Sequence, residues 1–156
     1  FKVADRQVAS RWGKITEFKN FDLITPNERE TRFALADQDS TVGKLSSLLQ
    51  SAASYKNLIL KLGDRGVFCS TVETNEKSAY FSIDSFATKV IDSVGAGDAL
   101  LAYSTLTLLA SGSLVSASII GSIAAGCECE IDGNIPITPE NIVDKINLLE
   151  KETNYS

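Results

Sequence analysis

Short apolar runs alternate with amphipathic segments along the chain, and this alternation predicts an α/β protein. The run FKVAD at 1–5 is typical of the end of a strand, and NFDLI at 20–24 of a buried strand. A helix is predicted to follow in TPNERETRFALA, with Thr25 as N-cap, Pro26 in the first turn and Glu28 three residues after the cap. The first part of the chain therefore has the order strand, strand, helix.

The next apolar positions predict a further helix and several strands. After Ser40, apolar residues recur at helical spacing: Val42, Leu45, Leu48, Leu49 and Ala52. NLILKL at 57–62 is a buried-strand run, and GVFCSTVE and AYFSID, separated by TNEK, predict a β-hairpin. TKVID at 88–92 predicts one more strand, which would lead the chain into a glycine turn.

The stretch 99–127 carries no charged residue and is long enough to span a bilayer. Ser111-Gly112-Ser113 interrupts it, and its many Ser, Thr, Gly and Ala residues make it only weakly apolar. We therefore predict two buried helices joined by a tight turn rather than a membrane span. A last helix is predicted to begin at Thr138-Pro139-Glu140.

Composition limits the classes of function. With 156 residues, 44% hydrophobic and 22% charged, residues 1–156 fit one globular domain. A net charge of −5 argues against nucleic acid or an anionic membrane as partner, and the lack of histidine excludes Ser-His, Cys-His and histidine-zinc sites. The three cysteines, Cys69, Cys127 and Cys129, lack CxxC spacing and indicate a reducing, cytoplasmic location.

The stretch VIDSVGAGDALLAY, residues 90–103, places a Gly-Ala-Gly turn at the start of an apolar helix. Gly95, Ala96 and Gly97 have small side chains or none, so their backbone N–H groups are suited to bind a phosphate at a helix N-terminus. A carboxylate there would repel a resident anion. The presence of a carboxylate at position 98 is explained if the anion is a phosphoryl group in transfer, because Asp98 can then accept the proton of the attacking hydroxyl.

Other interpretations of this turn fit less well. A dinucleotide fingerprint needs a third glycine, a P-loop needs Gly-Lys-Ser/Thr, and an EF-hand needs more oxygen ligands. The simplest alternative is structural: Asp98 caps a helix and the glycines make a turn. The spacing alone leaves that alternative open.

The motif DSVGAGDALLA resembles the C-terminal signature of the ribokinase-like, PfkB-type carbohydrate kinases. Upstream, TPNERE resembles the Asn-x-x-Glu element of that family, and LILKLGDRGVF its nucleotide-binding strand-turn-strand. AAGCECEIDGNIPITPENI resembles its closing helix, loop and last helix, so the resemblance is collinear over nearly the whole chain. LITPNERE favours the heptose and sugar-phosphate branch. The implied fold is the C-terminal portion of a Rossmann-like sheet with flanking helices.

The resemblance also implies roles for individual residues. Asp98 would deprotonate a sugar hydroxyl, and Gly95, Ala96 and Gly97 would form the anion hole for the γ-phosphate of ATP. Asn27 and Glu30 would arrange Mg²⁺ and its waters. The expected nucleotide-binding residues are Lys61, Gly63, Gly66, Asp92 and Ser122. Asn27 with Glu30 could instead merely cap a helix, and Gly63 with Gly66 merely make a turn.

Some positions depart from the family pattern. Tyr103 stands where a small residue is usual, Ser122 where asparagine is usual, and Glu128 and Glu130 where apolar residues are usual. The N-terminal half that supplies sugar contacts and a lid in family members has no counterpart here. We therefore expect a nucleotide-and-catalysis part that is inactive alone, with a sheet edge that promotes self-association.

Three functions stay open at this point. The first is ATP-dependent phosphorylation of a sugar or sugar phosphate. The second is a non-catalytic domain that keeps the fold for nucleotide sensing or partner binding, and the third is a nucleoside or vitamin-precursor kinase of the same family.

Overall fold

The structure is a computed structural model that describes residues 1–5, 15–72, 78–133 and 135–154. It divides into two compact units, Phe1–Asp84 and Ser85–Ser156. The first unit contains the strands of the sheet and two helices, and the second contains three helices. Within the described ranges, no helix is both long and apolar enough to cross a membrane.

The first unit is a mixed sheet with helices, as the sequence predicts. Its elements are β1 (Val3–Ala4), β2 (Leu23–Ile24), α1 (Glu28–Leu35), α2 (Val42–Ala53), β3 (Asn57–Lys61), β4 (Val67–Val72) and β5 (Ser78–Ile83). The strands lie in the order β1-β2-β3-β4-β5; the first three are parallel, and β4 and β5 are antiparallel to their neighbours. The α/β class and the hairpin are confirmed, although the predicted connection TNEK lies outside the described residues.

The core of this unit lies between the sheet and α2. Ile24, Leu58 and Leu60 belong to one buried cluster with Leu45 and Leu49, the apolar residues that the helical spacing predicts. The alternate strand residues Leu23 and Ile59 are also fully buried. Burial on both faces explains why β2 and β3 appear in the sequence as continuous apolar runs rather than alternating ones.

The start of α1 differs from the prediction. The N-cap is Asn27, not Thr25: its side chain accepts a hydrogen bond from Glu30 N at 2.7 Å, and the Glu30 carboxylate accepts one from Asn27 N at 3.0 Å. Thr25 and Pro26 are engaged in the sheet, because Thr25 N donates to the Ala4 carbonyl and the Pro26 carbonyl accepts from Lys61 N. Sheet pairing therefore delays the helix by two residues.

The second unit is a set of three helices: α3 (Ala96–Ser111), α4 (Leu114–Cys129) and α5 (Pro139–Asn154). The predicted break at 111–113 and the predicted start of the last helix are confirmed. Gly112 ends α3 in a left-handed conformation, and the Ser113 side chain caps α4 by accepting from Ser116 N. A buried cluster of Ile123, Ala124, Cys127, Ile137 and Ile142 joins α4 to α5 and the loop before it.

Helices α3 and α4 approach each other closely at Gly121. A Cβ atom at this position would lie 1.9 Å from Ser104 Oγ and 3.0 Å from the Leu100 carbonyl oxygen. Both Ser104 and Gly121 are buried. The small residues that make this stretch weakly apolar are therefore what allows the two helices to pack at short range.

The predicted strand at 88–92 is wrong. This segment is irregular, and Val90 and Ile91 are 61% and 49% exposed. Its backbone bonds to the end of a helix instead of a neighbouring strand: Ile91 N and Asp92 N both donate to the Cys129 carbonyl, at 2.7 and 3.3 Å. The glycine turn therefore follows a segment anchored on α4, not the end of a strand.

Replacing Gly121 with alanine should destabilise the protein, by about 1–3 kcal/mol, because the new methyl group overlaps Ser104 Oγ. Thermal unfolding followed by circular dichroism measures the change. Gly43→Ala is the matched control, since a Cβ at Gly43 in α2 meets no atom within 4 Å. That control should be neutral or stabilising by about 0.5–1 kcal/mol, from helix propensity alone.

The double variant Gly121→Ala with Ser104→Ala removes the closest of the overlapping atoms. It should recover part of the stability that Gly121→Ala loses. Equal melting temperatures for the wild type and Gly121→Ala would show that the helices are not in the described contact.

Candidate functional site

The predicted site residues fall into two groups, one in each unit. Asn27, Glu30, Lys61, Gly63 and Gly66 belong to the first unit. Asp92, the turn 95–97, Asp98 and Ser122 belong to the second. In the first unit Asn27 pairs with Lys61, and in the second Asp92 lies next to the glycine turn.

The glycine turn forms the start of α3, two residues earlier than a helix beginning at Asp98 would. Gly95 is the N-cap, with φ of 88°, a left-handed conformation that glycine adopts without strain. The first bond of regular α-helical spacing runs from Ala99 N to the Gly95 carbonyl, at 2.9 Å. The N–H groups of Gly97 and Asp98 precede that bond, so the helix does not satisfy them.

The start of α3 differs from the other helix starts because it has no side-chain cap. Asn27 caps α1, Thr41 caps α2 and Ser113 caps α4, while Thr138 Oγ1 accepts from Asn141 N in the first turn of α5. Among the described residues, no side-chain oxygen takes this place at Gly95. The N–H groups of Gly97 and Asp98 are therefore open to an external anion, whereas Ala96 N donates to the Ser93 carbonyl at 3.4 Å.

The two aspartates that flank the turn are in different settings. Asp92 is half-buried, and its Oδ1 accepts a hydrogen bond from Val94 N at 3.0 Å, so it shapes the approach to Gly95. Asp98 is exposed at the third position of α3. No hydrogen bond to its carboxylate is formed within the described ranges, and an exposed carboxylate beside open N–H donors is suited to accept a proton from a bound group.

Glu130 anchors the segment that leads to this turn. Its carboxylate accepts hydrogen bonds from Thr88 N and Thr88 Oγ1, both at 2.8 Å, and forms an ion pair with Lys145 at 2.7 Å. Burial disfavours the ionised form, but Lys145 and the Thr88 donors outweigh it and hold the pKa of Glu130 below its ordinary value. This explains a glutamate where the family pattern has an apolar residue.

Sequence reasoning missed this role of Glu130. Thr88, Glu130 and Lys145 come from separate segments, and no local motif links them. The neighbouring Glu128 is buried, and its Oε1 has no hydrogen-bond partner in the described part of the chain.

The first-unit group lies around the start of α1. Asn27 and Lys61 form an isolated parallel bridge, which places the cap of α1 beside the end of β3. The Lys61 ammonium pairs with the Asp5 carboxylate at 2.6 Å. Gly63 and Gly66 have positive φ values of 69° and 79° and make the turn between β3 and β4. The structural alternatives considered for these residues, a helix cap and a turn, are thus both present.

A cavity of about 370 Å³ adjoins this group, and its lining includes Asn27, Lys61, Gly63, Arg29, Arg32 and Gln38. Glu28, which also lines it, accepts hydrogen bonds from Arg32 and Arg65. Burial disfavours ionisation of Glu28, but the two guanidinium groups outweigh it and lower the pKa of Glu28. The described lining carries the cationic side chains of Arg29, Arg32 and Lys61 against the carboxylate of Glu28, so the cavity suits an anionic ligand.

The oxygens of Asn27 and Glu30 are of the type that Mg²⁺ prefers, and Mg²⁺ needs few protein ligands because it retains several waters. No cluster of three or more His, Cys, Asp or Glu residues suited to a metal occurs among the described residues. The donor set therefore fits a water-rich magnesium ion better than a metal that requires a closed cage.

Tyr103 packs within the second unit, and Ser122 is buried there. Ser122 is buried in α4, and its hydroxyl has no hydrogen-bond partner within the described residues. The Tyr103 hydroxyl donates to the Ile137 carbonyl at 2.7 Å, and its ring packs on the α4–α5 cluster. The phenol thus ties α3 to the loop before α5, which accounts for a large side chain at this position.

Comparison with known proteins gives one family match. Residues 4–141 match the model of the "pfkB family carbohydrate kinase". The bifunctional protein HldE of Trichlorobacter lovleyi is 24% identical over 143 residues, which cover 88% of this chain and 28% of that protein. HldE of Helicobacter pylori strain J99 is 30% identical over 113 residues, 70% of this chain and 23% of that protein.

Solved structures show the same fold. Ribokinase from Giardia lamblia superposes with a TM-score of 0.76 at 19% identity, over 94% of this chain and 50% of that one. Ribokinase from Thermotoga maritima gives 0.75 at 26% identity, over 93% and 48%. The chain thus spans about half the length of these ribokinases and about a quarter of the HldE proteins.

Substituting Glu130 with glutamine should destabilise the second unit at pH 7 by about 3 kcal/mol, because the side chain of Lys145 is only 5% exposed and would lose its charge partner. A lowered pKa means that this stabilisation is complete above the unfolded-state value of about 4.3 and is lost as the pH falls through the folded-state value.

The difference in unfolding free energy between the wild type and Glu130→Gln should therefore shrink at acid pH. Denaturant unfolding at a series of pH values measures it. Glu150→Gln, at an exposed site on α5, is the control and should match the wild type throughout. A difference that persists unchanged at pH 3 would contradict an electrostatic origin.

Proposed function

Because the chain belongs to the pfkB family of carbohydrate kinases, we propose that it carries the nucleotide-binding and catalytic part of an ATP-dependent kinase for a sugar or sugar phosphate. The observation that carries the proposal is the uncapped start of α3, where open backbone donors lie next to an exposed carboxylate. The remaining residues of the sugar site would come from a further part of the protein, in keeping with the half-length match to ribokinases.

The backbone N–H groups at 95–97 would bind the γ-phosphoryl group during transfer. Its charge is spread over the equatorial oxygens in the transition state, and fixed donors aimed at those oxygens stabilise it without reorganising. The helix dipole of α3 adds positive potential at the same point. The anchoring of residues 88–92 on α4 supports this role, because donors of this kind act only if their position is fixed.

Asp98 would act as the general base. Its carboxylate takes the proton of the acceptor hydroxyl, the hydroxyl oxygen forms a bond to the γ-phosphorus, and the bond between that phosphorus and the β–γ bridging oxygen breaks, so that ADP leaves. The exposure of Asp98 and its lack of a described partner support this assignment, because the group must be able to reach an incoming hydroxyl.

Asn27 and Glu30 would hold Mg²⁺ through its waters, and the ion would neutralise charge on the nucleotide phosphates. Lys61, Gly63 and Gly66 would border the nucleotide in the adjoining cationic cavity. When the nucleotide binds, the Lys61 ammonium would exchange its ion pair with Asp5 for one with a phosphate. Asp92 would border the phosphates through the turn that it shapes, and Ser122 would face the adenine side.

The acceptor class is inferred from the relatives. Similarity to HldE proteins of two bacterial genera, together with the LITPNERE segment, favours a heptose-type sugar phosphate over a free pentose. A nucleoside or vitamin-precursor kinase would share the same transfer residues and differ in the acceptor site.

Asp98→Asn should lower the kcat of the full-length gene product by about 10²- to 10⁴-fold, since the amide cannot accept the proton. MgATP affinity should change little, because the backbone donors remain. A coupled ADP-release assay and calorimetric titration measure the two quantities. Unchanged turnover would refute the assignment of Asp98 as general base. MgATP binding without turnover in the wild type as well as in Asp98→Asn would favour the non-catalytic alternative.

Asn27→Ala should weaken MgATP binding to this chain by about tenfold if the amide helps to arrange the hydrated ion. The same change removes the α1 cap at a cost of about 1 kcal/mol, so a matched cap deletion is needed. Thr41→Ala removes the equivalent cap of α2. It should cost similar stability and leave MgATP affinity unchanged. Equal MgATP affinities for the wild type, Asn27→Ala and Thr41→Ala would show that Asn27 does not contribute to nucleotide binding.

A further inference from the structure

A second cavity lies in the first unit, between α2 and the strands β4 and β5. Its volume is about 440 Å³, within the range of small-molecule sites. None of the residues assigned above to the anion, metal or nucleotide sites lines it. Its chemistry is set by Lys44, Ser46 and Gln50 from α2, Ser70 and Phe68 from β4, and Tyr80 from β5.

The floor of this cavity is a chain of buried hydroxyl groups. Ser46 Oγ lies 3.1 Å from Ser70 Oγ and 3.3 Å from Tyr55 Oη, and the Tyr55 hydroxyl donates to the Ser46 carbonyl at 3.0 Å. Burial raises the pKa of the Tyr55 phenol, so it stays protonated. Serine at these positions replaces apolar packing between a helix and a sheet, and burying hydroxyl groups there is costly unless every one is bonded.

The number of hydroxyl protons shows which oxygen atoms of the floor remain free to accept hydrogen bonds. The single proton of Tyr55 goes to the Ser46 carbonyl, so the other two contacts are satisfied when Ser46 donates to Tyr55 and Ser70 donates to Ser46. Both lone pairs of Ser70 Oγ then have no donor from this chain of hydroxyls. Gln50 Oε1 is also buried without a partner in the described part of the chain. The cavity therefore offers acceptors that suit a ligand rich in hydroxyl donors.

One wall of the cavity is aromatic. The rings of Phe68 and Tyr80 stack with centroids 5.9 Å apart and an interplanar angle of 19°. Phe68 is buried, whereas Tyr80 is 73% exposed and presents its ring to a ligand. A flat aromatic surface beside hydrogen-bonding groups suits a ligand with both an apolar C–H face and hydroxyl groups, as a sugar ring has.

The rim of the cavity is positively charged. Lys44 is exposed and belongs to the lining, and none of the described residues that line the cavity is acidic. Within the described ranges, Lys44 forms no ion pair. The local potential thus favours a ligand with an anionic group at its outer end and disfavours a cationic one.

We propose that this cavity is a second, non-catalytic binding site for a sugar phosphate, with the hydroxylated ring on Ser70, Gln50 and the Phe68–Tyr80 stack and the phosphate at Lys44. The site is independent of the residues proposed for phosphoryl transfer, so it can be present or absent whatever the outcome for Asp98.

The test is a titration of the ¹⁵N-labelled 156-residue chain with ribose 5-phosphate, followed by amide chemical shifts. The amides of Lys44, Ser46, Gln50 and Ser70 should shift together with one dissociation constant. Ribose and inorganic phosphate are titrated in parallel, and each should bind at least about tenfold more weakly, because each retains only one half of the contacts. The amides of 95–98 report separately on the proposed catalytic turn.

Lys44→Ala should weaken ribose 5-phosphate about tenfold at these amides and leave ribose unchanged. Lys151→Ala, which removes an exposed lysine from α5, is the charge-matched control and should behave as the wild type. Ser70→Ala should weaken both ribose and ribose 5-phosphate. Because Lys44 is exposed, its variant keeps the test valid even if Ser70→Ala unfolds.

Three results would overturn the proposal. The first is an absence of shifts in α2 and β4, whether or not the turn at 95–98 responds. The second is equal weakening by Lys44→Ala and Lys151→Ala, which would show non-specific attraction. The third is equal affinity for inorganic phosphate, which would exclude recognition of the sugar.

Discussion

The backbone N–H groups at the start of each helix need hydrogen-bond acceptors, and the way this chain supplies them sets the arrangement of its candidate site. Side-chain oxygens occupy these positions at α1, α2 and α4. At α3 the N-cap is Gly95, which has no side chain to offer. The exception falls at the motif that most resembles a phosphoryl-transfer site. A missing cap lowers the stability of a helix, and that cost is reasonable where a ligand takes the place of the cap.

The uncapped start of α3 is held in position by the C-terminal end of α4. The segment 88–92 bonds to the C-terminal end of α4, through the carbonyl of Cys129, the last residue of the helix, and the carboxylate of Glu130, its C-cap. Lys145 connects the same carboxylate to α5, and Tyr103 connects α3 to the loop before α5. Two of the positions that depart from the family pattern, Tyr103 and Glu130, are therefore parts of the scaffold of the turn. Both side chains add directed polar bonds, which specify orientation more strictly than packing alone does.

The sequence was sufficient for most elements because their signals are local. The helical spacing in α2, the apolar run of β3 and the break at 111–113 each lie within one segment. It was insufficient where two local signals compete or where a partner is distant. TPNERE contains cap signals at both Thr25 and Asn27, and pairing of Pro26 with β3 decides between them. TKVID has the β-branched composition of a strand, but its hydrogen-bond partner is the end of a helix.

The same distinction applies to the candidate sites. The glycine turn could be predicted because its donors and carboxylate are consecutive in the chain. The Glu130 contacts and the hydroxyl-lined cavity could not, because each assembles side chains from segments that are far apart in the sequence.

The tight turn between α3 and α4 also bears on how the chain folds. The two helices are adjacent in sequence and meet through a two-residue connection, so their contacts form with little loop-closure entropy. In the sheet, Val3 pairs with Leu23 and Leu23 with Asn57, which requires much longer loops to close. Local contacts form in microseconds, whereas non-local parallel pairing is slower. The helical hairpin that carries the glycine turn is thus expected to form before the sheet, as an early nucleus of the chain.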